Sequence, residues 1–339
     1  MRAWEIRNEF SIDNLKLTDR PEPEPGPGQV VLEMRAYSLN ARDLQVVEGF
    51  YDLNLTGPRI PFSDGAGEVV AVGEGVSRFS VGDRVAGIFM QGWVDGEFTP
   101  DKGATALGGP MDGMAAERVV LHEEGLVAVP EHLSFAEAAT LPCAAVTAWN
   151  ALVTRGGLKA GDTVLVQGTG GVSIFALQIA NMFGARAIVT SSSDEKLARA
   201  LKLGASDGIN YRKNEDWDES VLELTEGRGV DHVVEVGGPD TLGKSLNATR
   251  TGGNVAVIGV LTGIAGNVPT LSILQKNVRV QGINVGSRRM FEDMNRALSL
   301  NSVKPVVDRE FPFEETQDAL RHLKSASHFG KVVVRGQGI

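Results

Sequence analysis

Cysteine is almost absent from this sequence: Cys143 stands alone, and the five histidines are scattered without a shared motif. A single cysteine excludes an intrachain disulfide, so we expect a reducing compartment, the cytoplasm. No segment reaches the roughly 20 consecutive apolar residues that a membrane helix needs, and residues 1–10 lack the apolar run of a signal peptide. No histidine stands beside a serine or cysteine in a nucleophile setting, which argues against a hydrolase.

Positive charge is also in short supply, with 33 Lys and Arg against 43 Asp and Glu, a formal net charge of −10. An acidic surface repels phosphate backbones and anionic lipids, so we expect no nucleic-acid or membrane partner. The 339 residues, of which 42% are hydrophobic and 22% charged, suit two globular domains. A small molecule is the expected partner.

Two patterns divide the chain. Up to about residue 142, short β-branched runs alternate with turn residues, and Gly92–Gly113 has no periodicity, so we interpret it as a long loop. Ala136–Leu152 is alanine-rich and predicts a helix across the junction. Beyond it, helical patterns alternate with apolar runs, which predicts a parallel sheet with helices on both faces. These runs are Thr163–Gln167, Ala187–Thr190, Asp231–Val236, Asn254–Gly259 and Val278–Ile283.

The tail after about Val285 is too short for a domain of its own, so we expect it to complete the first part. The predicted fold class is therefore α/β, with a doubly wound parallel sheet inserted in a mainly-β domain. In residue numbers, 1–143 and 285–339 form the mainly-β domain, and 144–284 form the inserted one.

The strongest motif is the glycine-rich turn, Gly168–Ser173, between the strand Thr163–Gln167 and an apolar helical pattern. Glycines there allow positive φ and a close approach of backbone N–H groups to a pyrophosphate, and the helix N-terminus adds partial positive charge. Ser173 stands for the third glycine of GxGxxG, whose task is close helix–strand packing, and serine is small enough for it. The predicted dinucleotide-binding residues are Gly168, Thr169, Gly170, Gly171 and Val172.

The end of the next strand distinguishes NAD from NADP. Ala187–Thr190 runs into three serines, without the carboxylate that would bind the ribose hydroxyls of NAD. Hydroxyls and nearby cations suit a 2′-phosphate, so we predict NADPH. Alternatively, Ser193 merely caps a helix in which Lys196 is solvated, and acidic Asp194 weighs against NADPH. The residues predicted to select the cofactor are Ser191, Ser192, Lys196, Tyr211 and Arg212.

Ligands of open α/β sheets bind at the carboxyl ends of the strands. The candidates there are Gly237, Gly259, Asn284 and Val285. Arg288, which follows Gly286-Ser287, is interpreted either as a ligand of substrate or cofactor or as a solvated side chain. Both interpretations stay open at this point.

Over essentially its whole length the sequence resembles the medium-chain dehydrogenase/reductases, and within them the zinc-free quinone oxidoreductase branch. This resemblance implies a Rossmann sheet inserted in a GroES-like catalytic domain, and a homodimer paired through Val278–Ile283. It also implies that Thr147 lies close to the nicotinamide and that Lys331 belongs to the cofactor-binding residues. The segments that carry it are SLNARD (38–43), PFSDGAGEV (61–69), GDRV (82–85), LPCAAVTAW (141–149), the glycine-rich turn and GKVV (330–333).

The same resemblance argues against zinc. The family's zinc alcohol dehydrogenases have Cys, His and Glu where this chain has Asn40, Ser63 and Asp64, so that Cys143 alone retains the ligand type of its position. A catalytic zinc needs three protein ligands, and Gly92–Gly113 contains no cysteine for a structural zinc. We expect no metal, and we expect Cys143 to line the substrate pocket rather than act as a nucleophile.

Without a Lewis acid, a simple alcohol or ketone is a difficult substrate. A quinone or an α,β-unsaturated carbonyl accepts hydride at an electrophilic carbon, and hydrogen-bond donors stabilise the resulting enolate. The resemblance places Asn40 in the substrate cleft as a neutral donor, Tyr51 as the proton donor and Asp43 as an orienting group. Tyr51 has the alternative interpretation of a surface aromatic residue.

The predicted function is thus NADPH-dependent reduction of a quinone or activated alkene. Two alternatives remain open. One is a zinc-free alcohol or aldehyde dehydrogenase, which fits the resemblance but not the chemistry. The other is a dinucleotide-binding protein without turnover, which would need the glycine-rich turn but no open cleft at Asn40 and Tyr51.

Overall fold

The computed structural model describes residues 1–7, 9–51 and 57–336. The chain divides into two compact units, here called unit 1 (Met1–Val146 with Gly286–Ile339) and unit 2 (Thr147–Val285). The predicted domain limits lie close to these boundaries, and residues 8, 52–56 and 337–339 of the predicted mainly-β domain lie outside the described residues. The segment Tyr51–Ile60, predicted to shape the substrate pocket, is described only at its ends.

The strands are numbered along the chain. They are β1 Arg2–Glu5, β2 Lys16–Asp19, β3 Gln29–Leu39, β4 Asp64–Val72, β5 Arg84–Gly87, β6 Arg118–His122, β7 Leu126–Ala128, β8 Thr163–Gln167, β9 Arg186–Ser191, β10 Asp207–Asn210, β11 Val230–Glu235, β12 Thr249–Val257, β13 Arg279–Gly282, β14 Val307–Pro312 and β15 Lys331–Arg335.

The α-helices are numbered in the same way. They are α1 Ala41–Val47, α2 Pro100–Gly103, α3 Phe135–Ala138, α4 Val146–Trp149, α5 Gly171–Met182, α6 Asp194–Lys202, α7 Trp217–Leu224, α8 Pro239–Ala248, α9 Thr270–Gln275, α10 Arg288–Leu300 and α11 Thr316–Lys324. Short 3₁₀ segments are Ile12–Asn14, Glu123–Gly125 and Phe313–Glu315. Two π-helical segments, Leu141–Ala145 and Asn150–Thr154, interrupt the predicted junction helix.

Unit 2 contains a six-stranded parallel sheet of order β10-β9-β8-β11-β12-β13. The order reverses between β8 and β11, which makes this a doubly wound sheet with its ligand-binding crevice at the carboxyl ends of those strands. Every residue of β8 is buried, because parallel sheets are covered on both faces. The predicted α/β fold class is confirmed.

The predicted strand β8 has the observed bounds, and β9 extends one residue further at each end. β10 is absent from the predicted strands, because its sequence Asp-Gly-Ile-Asn contains a single apolar residue. It is an edge strand whose conformation depends on pairing with β9 rather than on its own propensity.

Unit 1 contains a mainly antiparallel sheet of order β14-β15-β3-β4-β5-β7, with β6 paired to β3. The two strands that follow unit 2 in the sequence belong to this sheet, as expected for the tail. β15 pairs with β3 in the register Val332 opposite Leu39. This register brings Lys331, the first residue of β15, to the end of β3, where α1 begins.

The segment Gly92–Gly113 was predicted to be a long loop, and it contains some regular secondary structure. It contains α2 and isolated bridges from Met90 to Ala106 and from Leu107 to Met111. Trp93 and Leu107 are buried, so the segment packs into unit 1. A Cβ on Gly108 would lie 2.6 Å from the backbone of Phe62, and its φ is +67°, so glycine is required at this contact. None of the helices in residues 1–7, 9–51 and 57–336 is long and apolar enough to cross a membrane.

Candidate active site

A buried carboxylate organises the start of α1 in unit 1. Asp43 has no exposed surface, and its Oδ2 accepts a hydrogen bond from the backbone N–H of Asn40 at 2.8 Å. Its Oδ1 accepts from the backbone N–H of Ser63 at 3.2 Å. Because one side chain holds two distant segments of backbone, the side chains of Asn40 and Ser63 are brought side by side. These contacts are compatible with the orienting role predicted for Asp43, which stays a prediction.

A chain of hydrogen bonds starts at Lys331, which is 3% exposed. Its ammonium donates to Leu39 O at 2.6 Å and to Asn40 Oδ1 at 2.5 Å. Asn40 Nδ2 lies 3.5 Å from Ser63 Oγ, and Ser63 Oγ donates to Asp64 Oδ1 at 2.7 Å. We call Asn40, Ser63, Asp64 and Lys331 the buried polar cluster.

Lys331 is predicted from the sequence to be among the cofactor-binding residues. In the structure its ammonium is engaged within the buried polar cluster. Burial lowers the pKa of Lys331, and the negative charge of Asp64 opposes this shift. These contacts use two of the three N–H donors of the ammonium, and direct binding of the cofactor by Lys331 remains a prediction.

Asp64 and Cys143 are adjacent in the structure. The fully buried Asp64 accepts the backbone N–H of Cys143 at 3.1 Å. Burial raises the pKa of Asp64 to about 6, although the Lys331 ammonium counteracts it. Burial, followed by the charge of Asp64, also raises the pKa of the Cys143 thiol far above its ordinary range. A thiol held in its protonated form is a poor nucleophile, which suits the predicted pocket residue.

Arg42 belongs to the sequence motif at 38–43 but has no predicted role there, and in the structure it contacts several elements of unit 1. Its guanidinium lies 5.5 Å from the centre of the Tyr51 ring and 5.0 Å from that of Phe89. It also donates to Leu107 O at 2.8 Å and lies 3.2 Å from Asp43 Oδ1. Arg42 therefore links α1, the segment Gly92–Gly113 and the predicted proton donor, which is 42% exposed.

Arg288, interpreted from the sequence either as a ligand of substrate or cofactor or as a solvated side chain, contacts two carboxylates in the structure. It begins α10 and donates to Glu124 Oε2 at 2.5 Å, and its Nε lies 3.5 Å from Glu292. The side chain is only 15% exposed, so the solvated alternative is wrong. The contact of Arg288 with substrate or cofactor stays a prediction.

The glycine-rich turn in unit 2 has the geometry that an anion requires. Gly168 has a φ of +72°, and α5 begins at Gly171 with Gly170 as N-cap. Glycine has no side chain to occupy the first-turn N–H groups of α5, so they suit a pyrophosphate. Ser173, in place of the third glycine, donates to Gln167 O at 2.7 Å and thereby fastens the helix to the strand.

A second buried carboxylate lies beside this turn, and the sequence did not identify it. Glu235 ends β11 and has no exposed surface. Its Oε1 accepts the backbone N–H groups of Gly237 and Gly238 at 2.8 and 3.0 Å. Its Oε2 accepts from Ser245 Oγ at 2.5 Å and from Gln167 Nε2 at 2.8 Å. Glu235 therefore joins the strand before the glycine-rich turn to the loop after β11.

The residues predicted to select the cofactor lie at or near the carboxyl ends of β9 and β10. Tyr211 N donates to Ser191 O at 3.1 Å, and Tyr211 and Arg212 are exposed. Ser193 is the N-cap of α6 and accepts the N–H of Lys196 at 3.3 Å, so the capping alternative is true of Ser193. Ser192 and the partly buried Lys196 complete the group.

Asp194, the residue that weighs against NADPH, is not an isolated negative charge. Its Oδ1 accepts from Asn210 Nδ2 at 2.6 Å, and its Oδ2 is ion-paired with Lys213. Both contacts hold the pKa of Asp194 below its ordinary value. This pairing could not be predicted from the sequence, because Lys213 lies beyond β10. The cation partly offsets the repulsion that Asp194 would exert on a phosphate.

The remaining predicted ligands also belong to unit 2. Gly237 and Gly259 follow β11 and β12, and a Cβ on Gly259 would lie 2.3 Å from Val236 O. Asn284 is exposed. Val285 has a φ of +52°, and its carbonyl accepts from Asn150 Nδ2 at 2.7 Å. Thr147 is buried at the start of the unit. Their contacts with a cofactor stay predictions.

Two family models match the chain. Residues 26–131 match the alcohol dehydrogenase GroES-like domain, and residues 171–300 match the zinc-binding dehydrogenase model. A zinc-type alcohol dehydrogenase-like protein of Schizosaccharomyces pombe is 44% identical, over 97% of this chain and 98% of its own.

Solved structures extend the comparison. A putative alcohol dehydrogenase from Sinorhizobium meliloti is 48% identical with a TM-score of 0.92, covering 99% of both chains. An NAD-dependent alcohol dehydrogenase is 36% identical with a TM-score of 0.90, also covering 99% of both. A crotonyl-CoA carboxylase/reductase in complex with NADP is 25% identical with a TM-score of 0.89, covering 100% of this chain and 95% of its own.

The doubly wound sheet with its glycine-rich turn is a fold that binds dinucleotides, and the family models and relatives above show that the protein is an oxidoreductase. The chain belongs to the medium-chain dehydrogenase/reductase superfamily, as the matches over nearly its whole length show. The resemblance recognised in the sequence is thereby confirmed.

The zinc that the family models imply does not fit the residues present. Asn40 Oδ1 already accepts an ammonium, and the Ser63 hydroxyl donates to Asp64. Cys143 and Asp64 supply two donors of zinc-binding type, fewer than the three that a catalytic zinc needs. In the described part of the chain, no three His, Cys, Asp or Glu residues are grouped as a metal site. We derive no catalytic step through zinc.

Proposed function

We propose that this protein is a zinc-independent, NADPH-dependent reductase of quinones or α,β-unsaturated carbonyls. The observation that carries the proposal is the buried ammonium of Lys331 on Asn40 Oδ1. A cation at this position disfavours a second cation beside it. Polarisation of the substrate oxygen would then rely on hydrogen-bond donors, which suffice for an activated alkene but poorly for an alcohol.

NADPH, when bound, supplies the hydride. The amide N–H of Asn40 would donate to the carbonyl oxygen of the substrate and stabilise the enolate that hydride addition creates. The hydroxyl of Tyr51 would give one proton to the enolate carbon and regain it from water, since the side chain is half-exposed. Hydride and proton together account for the two hydrogens of the reduced product. Cys143 would line the pocket as a neutral thiol.

Turnover measurements separate this function from its alternatives. We expect NADPH oxidation with quinones and enones, none with simple ketones, and no zinc in the purified protein by elemental analysis. A zinc-free alcohol or aldehyde dehydrogenase, favoured by the names of the relatives above, would instead oxidise an alcohol or aldehyde with NAD(P)⁺. Dinucleotide binding without turnover of any of these substrates would support the non-catalytic alternative.

The preference for NADPH is supported by the serines after β9, by Lys196 and by the neutralising Lys213 beside Asp194. Relatives do not decide it, because one is named NAD-dependent and another was solved with NADP. We expect NADPH to bind more tightly than NADH, and Lys196→Ala to weaken NADPH alone. Lys202→Ala, in the last turn of the same helix, is the matched control. Equal affinity of the wild type for both dinucleotides would contradict the preference.

A cytoplasmic homodimer is part of this proposal. β13 is the edge strand of its sheet, and Val280 in it is exposed. An exposed edge offers unpaired backbone groups to a second copy. Between β12 and β13 the chain also exposes several large apolar side chains. Apolar side chains exposed together are typical of a surface that another protein chain covers. They are Leu261, Ile264, Leu271 and Leu274, with 66, 93, 61 and 76% exposure.

A further inference from the structure

The orientation of the Asn40 amide follows from its neighbour. An ammonium has donors only, so the Asn40 atom that lies 2.5 Å from Lys331 Nζ must be the carbonyl oxygen. The NH₂ group is thereby turned to the opposite side. If a neutral or acceptor side chain replaced Lys331, both orientations of the amide would be open, and one of them would face the substrate with an acceptor.

The hydrogen bonds of the buried polar cluster share one direction. Lys331 donates to Asn40, Asn40 donates to Ser63, and Ser63 donates to Asp64. A cation begins this series and a carboxyl group ends it, so each bond polarises the next. The bond from Asn40 Nδ2 to Ser63 is long, at 3.5 Å, and an NH₂ group has two hydrogens. The Asn40 side chain also forms a hydrogen bond with Asp64, so a substrate oxygen would share the polarised NH₂ group with Ser63 and Asp64.

We propose that Lys331 is a positioning residue, whose buried ammonium fixes and polarises the amide of Asn40 so that it presents N–H to the substrate oxygen. Its positive charge thus acts on the substrate through Asn40, without touching it. This inference rests on the proposed function, in which Asn40 is the donor. It assigns Lys331 to the reaction rather than to the cofactor-binding residues among which the sequence placed it.

Lys331→Met removes the charge and keeps the length of the side chain. Asn40→Ala is expected to lower kcat/KM for an enone by about 100-fold, and Lys331→Met by about 10-fold or more. Because Lys331 acts through Asn40, the double variant is expected to match Asn40→Ala alone. Losses that multiply in the double variant would overturn the inference, since independent structural effects combine in that way. Lys331→Arg keeps a donor cation and is expected to retain most of the activity.

Lys276→Met is the matched control. Lys276 is another partly buried lysine, in unit 2, whose ammonium contacts the carbonyl oxygens of Leu246, Asn247 and Thr249 at 2.5–3.2 Å. Its removal is expected to lower Tm, and its effect on kcat/KM is expected to be small and independent of Asn40. A fall in turnover with Lys276→Met equal to that with Lys331→Met would show that loss of any buried ammonium suffices, against the inference.

Asn40→Asp covers the case in which Lys331→Met does not fold. A carboxylate at position 40 pairs with the Lys331 ammonium, so we expect Tm to be maintained. The carboxylate has no N–H to donate to the substrate. Turnover is expected to fall as far as in Asn40→Ala, with NADPH affinity within twofold of the wild type. Retained turnover would overturn both the donor role of Asn40 and the inference.

A spectroscopic measurement separates the inference from the proposed function. In ¹⁵N-labelled protein, the side-chain NH₂ signals lost in Asn40→Ala identify Asn40. These signals are expected to move in Lys331→Met, with a smaller move in Lys331→Arg and none in Lys276→Met. Unmoved signals in Lys331→Met would overturn the inference even for an active enzyme. If the wild type reduces no enone or quinone, the proposed function fails, and shifted signals still show that Lys331 fixes the amide.

Discussion

Arg42 stacks on the ring of Tyr51, so the effect of the Tyr51 hydroxyl on turnover can be tested separately from the position of the ring. The guanidinium holds the Tyr51 ring, and Asp43 and Leu107 O hold the guanidinium. Cation–π contacts of this kind contribute about 0.5–2 kcal/mol. The ring therefore has a defined position even though Tyr51 is 42% exposed, and removal of its hydroxyl leaves that position unchanged.

Tyr51→Phe is expected to lower enone turnover by about 100-fold, because general acids contribute factors of that size or more. NADPH affinity, measured by nicotinamide fluorescence, is expected to stay within twofold of the wild type. Tyr37→Phe is the control, since the buried Tyr37 hydroxyl donates to Ala116 O at 2.7 Å and its loss affects stability only. Unchanged turnover in Tyr51→Phe would remove Tyr51 from the mechanism.

Asp64 makes stability depend on pH in an unusual direction. Its pKa rises from 3.8 in the unfolded chain to about 6 in the folded one, so the folded state binds the proton more tightly. The contribution to stability is complete below about pH 4 and is lost as pH rises through 6, by about 3 kcal/mol at most. Relative to Asp64→Asn, the unfolding free energy of the wild type should fall over that interval, as measured by urea titration.

Asp231 makes the unfolding free energy depend on pH in the opposite direction from Asp64, and Asp231→Asn tests this. Hydrogen bonds from Arg228 and Arg250 hold the pKa of Asp231 well below its ordinary value despite the opposing effect of burial. Its contribution is present above about pH 4 and is lost as pH falls. Relative to this variant the wild type should therefore gain stability as pH rises from the acid range. Equal slopes for the wild type and both variants would contradict both assignments.

At the residue scale, contacts within one sequence motif could be predicted, and contacts between residues far apart in the chain could not. Asn40 and Asp43 are three residues apart, and the bond between them is local. The contact from Lys331 to Asn40 spans 291 residues and depends on the register of β15 against β3. No local pattern contains such a register, so this contact could not be predicted from the sequence.

At the element scale, the glycine-rich turn is fixed from two sides. Ser173 ties α5 to the end of β8, and Glu235 ties β8 to the loop between β11 and α8. Glu235 is fully buried and accepts hydrogen bonds from five donors. Such a network is costly if one acceptor is lost, because buried donors are then left unpaired.

Glu235→Gln tests this network. The amide places an N–H₂ group where backbone and hydroxyl donors expect an oxygen, so we expect a loss of about 1–3 kcal/mol in unfolding free energy. NADPH affinity should fall by about tenfold, because the loop and the glycine-rich turn move together. Asp240→Asn, an exposed carboxylate in the first turn of α8, should change neither quantity. Unaltered affinity in Glu235→Gln would show that the turn keeps its shape without this carboxylate.

Elements with strong periodicity could be predicted, and elements held by their neighbours could not. β8 has three consecutive apolar residues between Thr163 and Gln167 and was predicted with its observed bounds. β10 and the short helix α2 have little propensity of their own and form through tertiary contacts. The alanine-rich junction segment was predicted as helical, but its π-helical segments leave no pattern in the sequence.

At the scale of the whole molecule, the apolar surface before and within β13 bears on assembly. The wild type should have twice the chain mass of 36.1 kDa in light scattering. Leu274→Glu with Val280→Lys should give the single-chain mass, because charges on the edge strand and its apolar surroundings oppose pairing. Leu300→Glu changes an 87% exposed leucine in unit 1 and should leave the mass unchanged. A monomeric wild type would contradict the dimer.

The order of segments along the chain also governs how the protein is made. Unit 2 is continuous in sequence, whereas the sheet of unit 1 takes β15 from beyond it. A ribosome therefore synthesises all of unit 2 between Asn40 and Lys331. Nascent unit 2 can fold as a contiguous domain, while Asp64 and Asn40 await the ammonium that completes their cluster. Under the proposed function, the capacity to bind a dinucleotide would thus be acquired during translation before the capacity to reduce a substrate with it.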